Sequence, residues 1–134
     1  MYVYLQFIGK RIVDGVHLKF THLLFLIWEV CMQAQYIKAL SIKRIYAERI
    51  MSGIKTIELR KRPIGMELGD LILLYETAPD SVIRGGFIAD KTISLPVAKM
   101  WEKYQSIMGV EKDFYDSYFD KCEFAFGTLI YRSF

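Results

Sequence analysis

Between Tyr36 and Tyr131 the chain alternates short apolar runs with turn residues, at spacings that suit short strands and short helices. Residues 36–42 form an apolar-rich run that reads as a strand. Ala47, Ile50, Met51 and Ile54 then recur at helical spacing, predicting a helix over about 44–52. Ser41 is its expected cap, and Gly53 suits the position after its end. The period then changes to two. Thr56, Glu58 and Arg60 point one way and Ile57 and Leu59 the other, predicting a half-buried strand over 56–62 that Pro63 and Gly65 stop. Gly69-Asp70 marks a turn before the buried-strand candidate 71–76, and Pro79-Asp80 places a loop at 77–81. Gly85-Gly86 opens or bulges a strand running to about Ser94. Pro96 starts a helix reaching Met108, a second short helix covers 113–119, and 123–131 is the last strand.

Residues 36–134 therefore read as one α+β domain. About five to six strands, with helices packed at the side, suit a small β-barrel, open or closed. Residues 1–35 differ in character and read as an extension: a hairpin-like or helical element packed on the domain. Its apolar run, Leu23-Leu24-Phe25-Leu26-Ile27-Trp28, lies between Lys19 and Glu29 and is far shorter than the ~20 residues of a membrane-spanning helix. Lys10, Arg11 and Lys19 precede the run as in a signal peptide, but Glu29 interrupts it and no secreted-type cysteine framework follows. No membrane partner is expected. Self-association through this apolar segment is one expected use of it.

Charge changes the picture through its distribution. Residues 38–62 carry eight basic side chains against two acidic ones, whereas 63–134 carry seven basic and eleven acidic. Such a basic block is a candidate surface for a polyanion. Cys31 and Cys122 have no metal-site spacing and read as free thiols in a reduced, cytoplasmic setting. His17 and His22 both lie in the extension, away from the charged block, so no metal and no cofactor is expected.

The densest chemistry is Gly53-Ile54-Lys55-Thr56-Ile57-Glu58-Leu59-Arg60. The pattern G-x-K-x-x-E-x-R, formed by Gly53, Lys55, Glu58 and Arg60, resembles the signature of the ASCH family of the PUA-like superfamily. Leu40-Ser41-Ile42-Lys43 before a short helix is similar to the family's entry. Leu59-Arg60-Lys61-Arg62-Pro63 resembles its stand-alone archaeal and bacterial members, and Gly69-Asp70, Leu74-Tyr75-Glu76 and Ala78-Pro79 fit the region that follows. The likeness covers about residues 38–132. It implies a PUA-like β-barrel and binding of RNA or a nucleotide-like ligand. Some similar bacterial members are amidohydrolases of acetylated cytidine that use the motif lysine with a threonine three positions on. Here that position is Glu58, which removes the expected nucleophile.

The expected nucleic-acid-binding residues are Lys43, Lys55, Glu58 and Arg60, with Lys61 and Arg62 as long-range electrostatic contributors. Glu58 and Arg60 can form a structural ion pair, and the same carboxylate can orient the guanidinium for phosphate. The leading expectation is an RNA-binding module with a basic cleft. Its rival is a small hydrolase, an amidohydrolase or nuclease acting on a modified nucleoside or RNA, with Lys55 and Glu58 catalytic. A transcription-linked interaction domain is a third reading. Tyr75, Trp101, Tyr104 and Tyr118 are stacking candidates, while Phe114 and Phe119 are expected in the core. Glu76 is a second cleft carboxylate, ranked below Glu58.

Overall fold

A helix of about two turns shows how the apolar spacing becomes structure. Ala47 and Ile50 are the buried residues of α1 (Arg44–Met51), and they sit on a sheet whose facing residues are Leu40, Ile42, Ile72, Leu74 and Phe87. The computed structural model describes residues 4–5, 34 and 36–134. The expected packing of the N-terminal extension lies outside the described residues, apart from the two-residue strand β1 (Tyr4–Leu5), which pairs antiparallel with Lys38 and Ile37.

The remaining strands are β2 (Ile37–Ile42), β3 (Ile57–Arg60), β4 (Leu71–Glu76), β5 (Val82–Pro96) and β6 (Phe124–Ser133). Helices α2 (Val97–Met108) and α3 (Lys112–Tyr118) lie between β5 and β6 in the chain. The sheet order is β1-β2-β4-β5-β6-β3. β2 and β4 run parallel, Ile37 opposite Leu71 and Ile42 opposite Glu76, and the connection between them carries α1 and β3. β5 is the hinge of the sheet. Its first part pairs with β4 and its later part with β6, and register shifts around Ala89 let it bend between the two.

The fold is α+β, as expected, but the sheet does not close into the expected barrel. β3 has four residues and pairs only with β6 among the described residues, so no backbone ladder joins it to β2. Side chains bridge that gap instead: Arg60 of β3 donates from Nη2 to the Ser41 carbonyl of β2 at 3.1 Å. The sheet is thus curled enough for its ends to approach, and open enough to leave a hollow between them.

Two apolar clusters follow from this shape. One lies under α1 on β2, β4 and β5. The other joins Ile57, Leu59, Ala125, Met100, Met108, Tyr115 and Phe119, between β3–β6 and the helices α2 and α3. Near the first cluster, Lys38 pairs with the fully buried Asp70 and also donates to the Gly65 carbonyl, pinning the loop before β4 to β2.

Several expectations need correction. Ser41 does not cap α1. β2 continues through Ile42, which moves the cap position to Lys43, and no side chain caps the helix there. β3 is buried on both faces rather than half-buried, because its polar face turns into the hollow instead of to water. β5 begins at Val82, so Gly85-Gly86 does not open the strand; it lies inside it, beside a register shift where Leu74 faces Gly85 and Tyr75 faces Ile83, as the bulge reading expects.

Candidate functional site

Gly53 ends α1 with φ +77°, a left-handed conformation that glycine adopts without a Cβ penalty. The chain then runs between two helix ends: Lys55 N–H donates to the Arg49 carbonyl at 2.9 Å, and Thr56 N–H to the Ile107 carbonyl at 3.0 Å. This fixes Lys55 at the mouth of β3. Its stem lies against Gly109, where an added Cβ would stand only 2.8 Å from Lys55 Cβ. Its Nζ donates to the Met108 carbonyl at 3.1 Å. Arg49 donates to the Gly109 carbonyl beside it. Two cations therefore meet the carbonyl end of α2, where a positive charge is favoured.

From Lys55 a chain of charges crosses the open seam. Lys55 Nζ lies 3.5 Å from Glu58 Oε2. Glu58 Oε1 accepts from Arg60 Nε at 3.0 Å and sits 2.9 Å from Nη2, and Arg60 reaches Ser41 as described. Lys55 and Glu58 are 3% and 5% exposed, so these are interior charges that the fold compensates. The carboxylate uses both oxygens on cations.

These groups line a cavity of about 260 Å³. β2 and the cap of α1 contribute Ser41, Ile42 and Lys43. β3 and its approach contribute Lys55, Glu58, Leu59 and Arg60, and α1 supplies Tyr46. Val110, Phe114, Tyr115, Tyr118 and Phe119 close the other side. Lys43, Lys55, Glu58 and Arg60 are thus brought to one hollow. Lys61 and Arg62 are exposed beyond β3 and do not line it, although Lys61 Nζ stands 5.0 Å over the Tyr118 ring.

Phe114 is not a core residue. It is 37% exposed, lines the cavity, stacks on Tyr118 at 5.8 Å and 15°, and meets Tyr46 at 5.2 Å. Phe119 is buried at 3% and also reaches the cavity. Trp101 and Tyr104 pack against the second apolar cluster. Glu76 is buried but pairs with Arg84 and does not line the hollow. Tyr46 and Tyr115 are lining residues that sequence reasoning missed. Tyr46 stands four residues before the buried Ile50, a spacing that marks the inward side of α1.

Burial holds the Lys55 ammonium below the ordinary lysine range; Glu58 pulls it up, while Arg60 and Arg49 push it down again. Burial raises the phenols of Tyr46 and Tyr118, and it pushes Tyr115 to about 12, with Asp116 adding to it. The Tyr115 hydroxyl donates to the Val97 carbonyl at 2.9 Å.

The sign of the Lys55 effect follows from linkage. The folded chain loses this proton at lower pH than the unfolded chain, so between the two pKa values the unfolded state holds more protons and stability rises with pH. The unfolding free energy of the wild type minus that of Lys55→Met is therefore expected to rise from neutral pH towards the usual lysine range. The raised tyrosines act oppositely but are common to both proteins and cancel. Urea unfolding of the pair at a series of pH values measures it; a difference that stays flat or falls would contradict the assignment.

Among the described residues no group of three or more His, Cys, Asp or Glu side chains could hold a metal ion, and no helix is long and apolar enough to cross a membrane. A family model for the ASCH domain matches residues 40–130. The chain belongs to the ASCH domain family. Members of this family are generally thought to bind RNA. The crystal structure of ASCH from Zymomonas mobilis is 27% identical, with a TM-score of 0.67 over 72% of this chain and 67% of that one. Two variants of the Zymomonas protein are similar as well. A tyrosine-to-phenylalanine variant is 26% identical, with a TM-score of 0.66 over 70% of this chain and 68% of its own. A serine-to-alanine variant is 26% identical, with a TM-score of 0.68 over 72% and 68%. No curated protein sequence matches this ASCH chain.

Proposed function

We propose that this ASCH protein is an RNA-binding module whose ligand enters the hollow at the open seam of the sheet, with Lys43, Lys55, Glu58 and Arg60 as its polar contacts. One observation carries the reading: four polar side chains from the basic block converge on a single cavity that also presents aromatic rings. Lys61 and Arg62 lie just beyond it and add to the positive field that attracts a polyanion.

Phosphate contacts make such binding salt-dependent, with a slope of about −0.7 per contacted phosphate of a single strand. Lys43 is exposed, so its removal leaves the fold intact. Lys43→Ala is expected to weaken RNA binding and to reduce the salt slope by about 0.7. Fluorescence anisotropy with short single-stranded RNAs over a salt series checks this. No binding by the wild type at low salt would overturn the proposal.

The hydrolase alternative stands second. Glu58 is the one carboxylate lining the cavity among the described residues, and Arg60 and Lys55 already engage it rather than leaving it to activate water. Product formation in the nucleoside titrations described below would reverse that order.

A further inference from the structure

The charges at the floor of the hollow are already spent on one another. Arg60 places two nitrogens on Glu58 Oε1 and one of them also on the Ser41 carbonyl. Lys55 divides its ammonium between Glu58 and the Met108 carbonyl. A phosphate arriving there would meet two cations beside a buried carboxylate, and it would have to displace that carboxylate from its own partners. Donors and an anionic acceptor side by side instead suit the edge of a neutral heterocycle, which carries amino, carbonyl and ring-nitrogen groups in the same alternation.

The walls favour the same ligand. Tyr46, Phe114 and Tyr118 supply ring surface on one side, and Phe114 is the most solvent-accessible of the three large aromatic rings. At about 260 Å³ the cavity is smaller than the ~300–1,000 Å³ of sites that enclose drug-sized ligands, and it has room for one ring system rather than a whole nucleotide. Exposed cations, Lys43 and Lys61, stand at the rim, where a backbone phosphate can keep its solvation.

We infer that the hollow receives a single unpaired nucleobase, stacked on the Phe114–Tyr118 wall with its polar edge against the Lys55–Glu58–Arg60 floor, while the phosphates stay at the rim. This rests on the RNA-binding proposal for the same site and divides its labour: the rim supplies salt-dependent affinity and the floor selects single strands over duplexes. A paired base cannot enter, because its edge is occupied and its ring is stacked on both sides.

The test uses the full chain and two kinds of probe. Saturation-transfer NMR with adenosine, cytidine, guanosine and uridine, each uncharged, is compared with ribose 5-phosphate and inorganic phosphate. In parallel each probe competes with a labelled single-stranded RNA. At least one nucleoside is expected to bind and to displace the RNA, and neither phosphate probe to do so at equal concentration. Phe114→Ala, at an exposed position, is expected to weaken that nucleoside at least about fivefold, the low end of alanine substitutions at stacking residues. If the RNA binds but no nucleoside does, or if phosphate competes and the nucleosides do not, the inference fails and the RNA-binding proposal stands. If nucleosides bind and RNA does not, the proposal fails and the base-sized site stands. An Phe114→Ala protein that binds nucleosides as tightly as the wild type also overturns the stacking assignment.

Discussion

Replacing Glu58 by glutamine is expected to destabilise the protein by about 3–5 kcal/mol, the range for removing one partner of a buried ion pair. Glutamine keeps the shape of the side chain and removes its charge. Lys55 would then be an ammonium at 3% exposure facing an amide, with the Met108 carbonyl as its remaining partner, and Arg60 would keep only a neutral acceptor in place of the carboxylate. By contrast, the Lys99–Glu102 pair is exposed on both sides, and its loss is expected to cost no more than ~1 kcal/mol. The double change Glu58→Gln with Lys55→Met should recover part of the loss, because the uncompensated cation is gone. Urea unfolding at neutral pH of the three variants and the wild type provides the numbers. A Glu58→Gln protein as stable as the wild type would mean that water, not the carboxylate, holds Lys55 and Arg60.

A second large effect is expected at Gly109. Its φ of +59° costs an L-residue about 1–2 kcal/mol. A methyl group there would also crowd the stem of Lys55 at 2.8 Å, and overpacking of this kind adds about 1–3 kcal/mol. Gly53 is the control, because its φ is +77° but an added Cβ meets nothing within 4 Å. Gly109→Ala should therefore cost about twice as much as Gly53→Ala. It alone should weaken RNA binding, since it displaces Lys55 from the cavity floor. Equal costs, with RNA affinity unchanged in both variants, would show that the Lys55 stem yields freely.

Periodicity made most of the elements legible. Helical spacing of Ala47 and Ile50 places α1 to within a residue, and the apolar run 71–76 coincides with β4. Alternation in β3 separated its two faces correctly, yet it could not say whether the polar face meets water or an interior hollow. That distinction depends on α3 and β2, which reach the same place from distant parts of the chain. Openness of the sheet was hidden for the same reason: it depends on which strand ends as the neighbour of β3, and local pattern does not encode sheet order. The expectation for Phe114 failed because an i, i+4 aromatic pair marks one helix face without saying whether that face is covered. Ser41 failed as a cap although both element boundaries were read correctly, because it lies inside β2, two residues before the cap position at Lys43.

The position of β6 has a consequence for when the site comes into being. β3, which carries Glu58 and Arg60, has its hydrogen-bonded partner among the described residues in β6, where Ile57 faces Leu129 and Arg60 faces Phe126. That partner is translated after both later helices, so a nascent chain holds the motif long before it holds the strand that seats it. Until then the lysine, carboxylate and guanidinium belong to an unpaired segment in water. Ligand recognition therefore arrives late in biogenesis, together with the completed sheet rather than with the signature residues themselves.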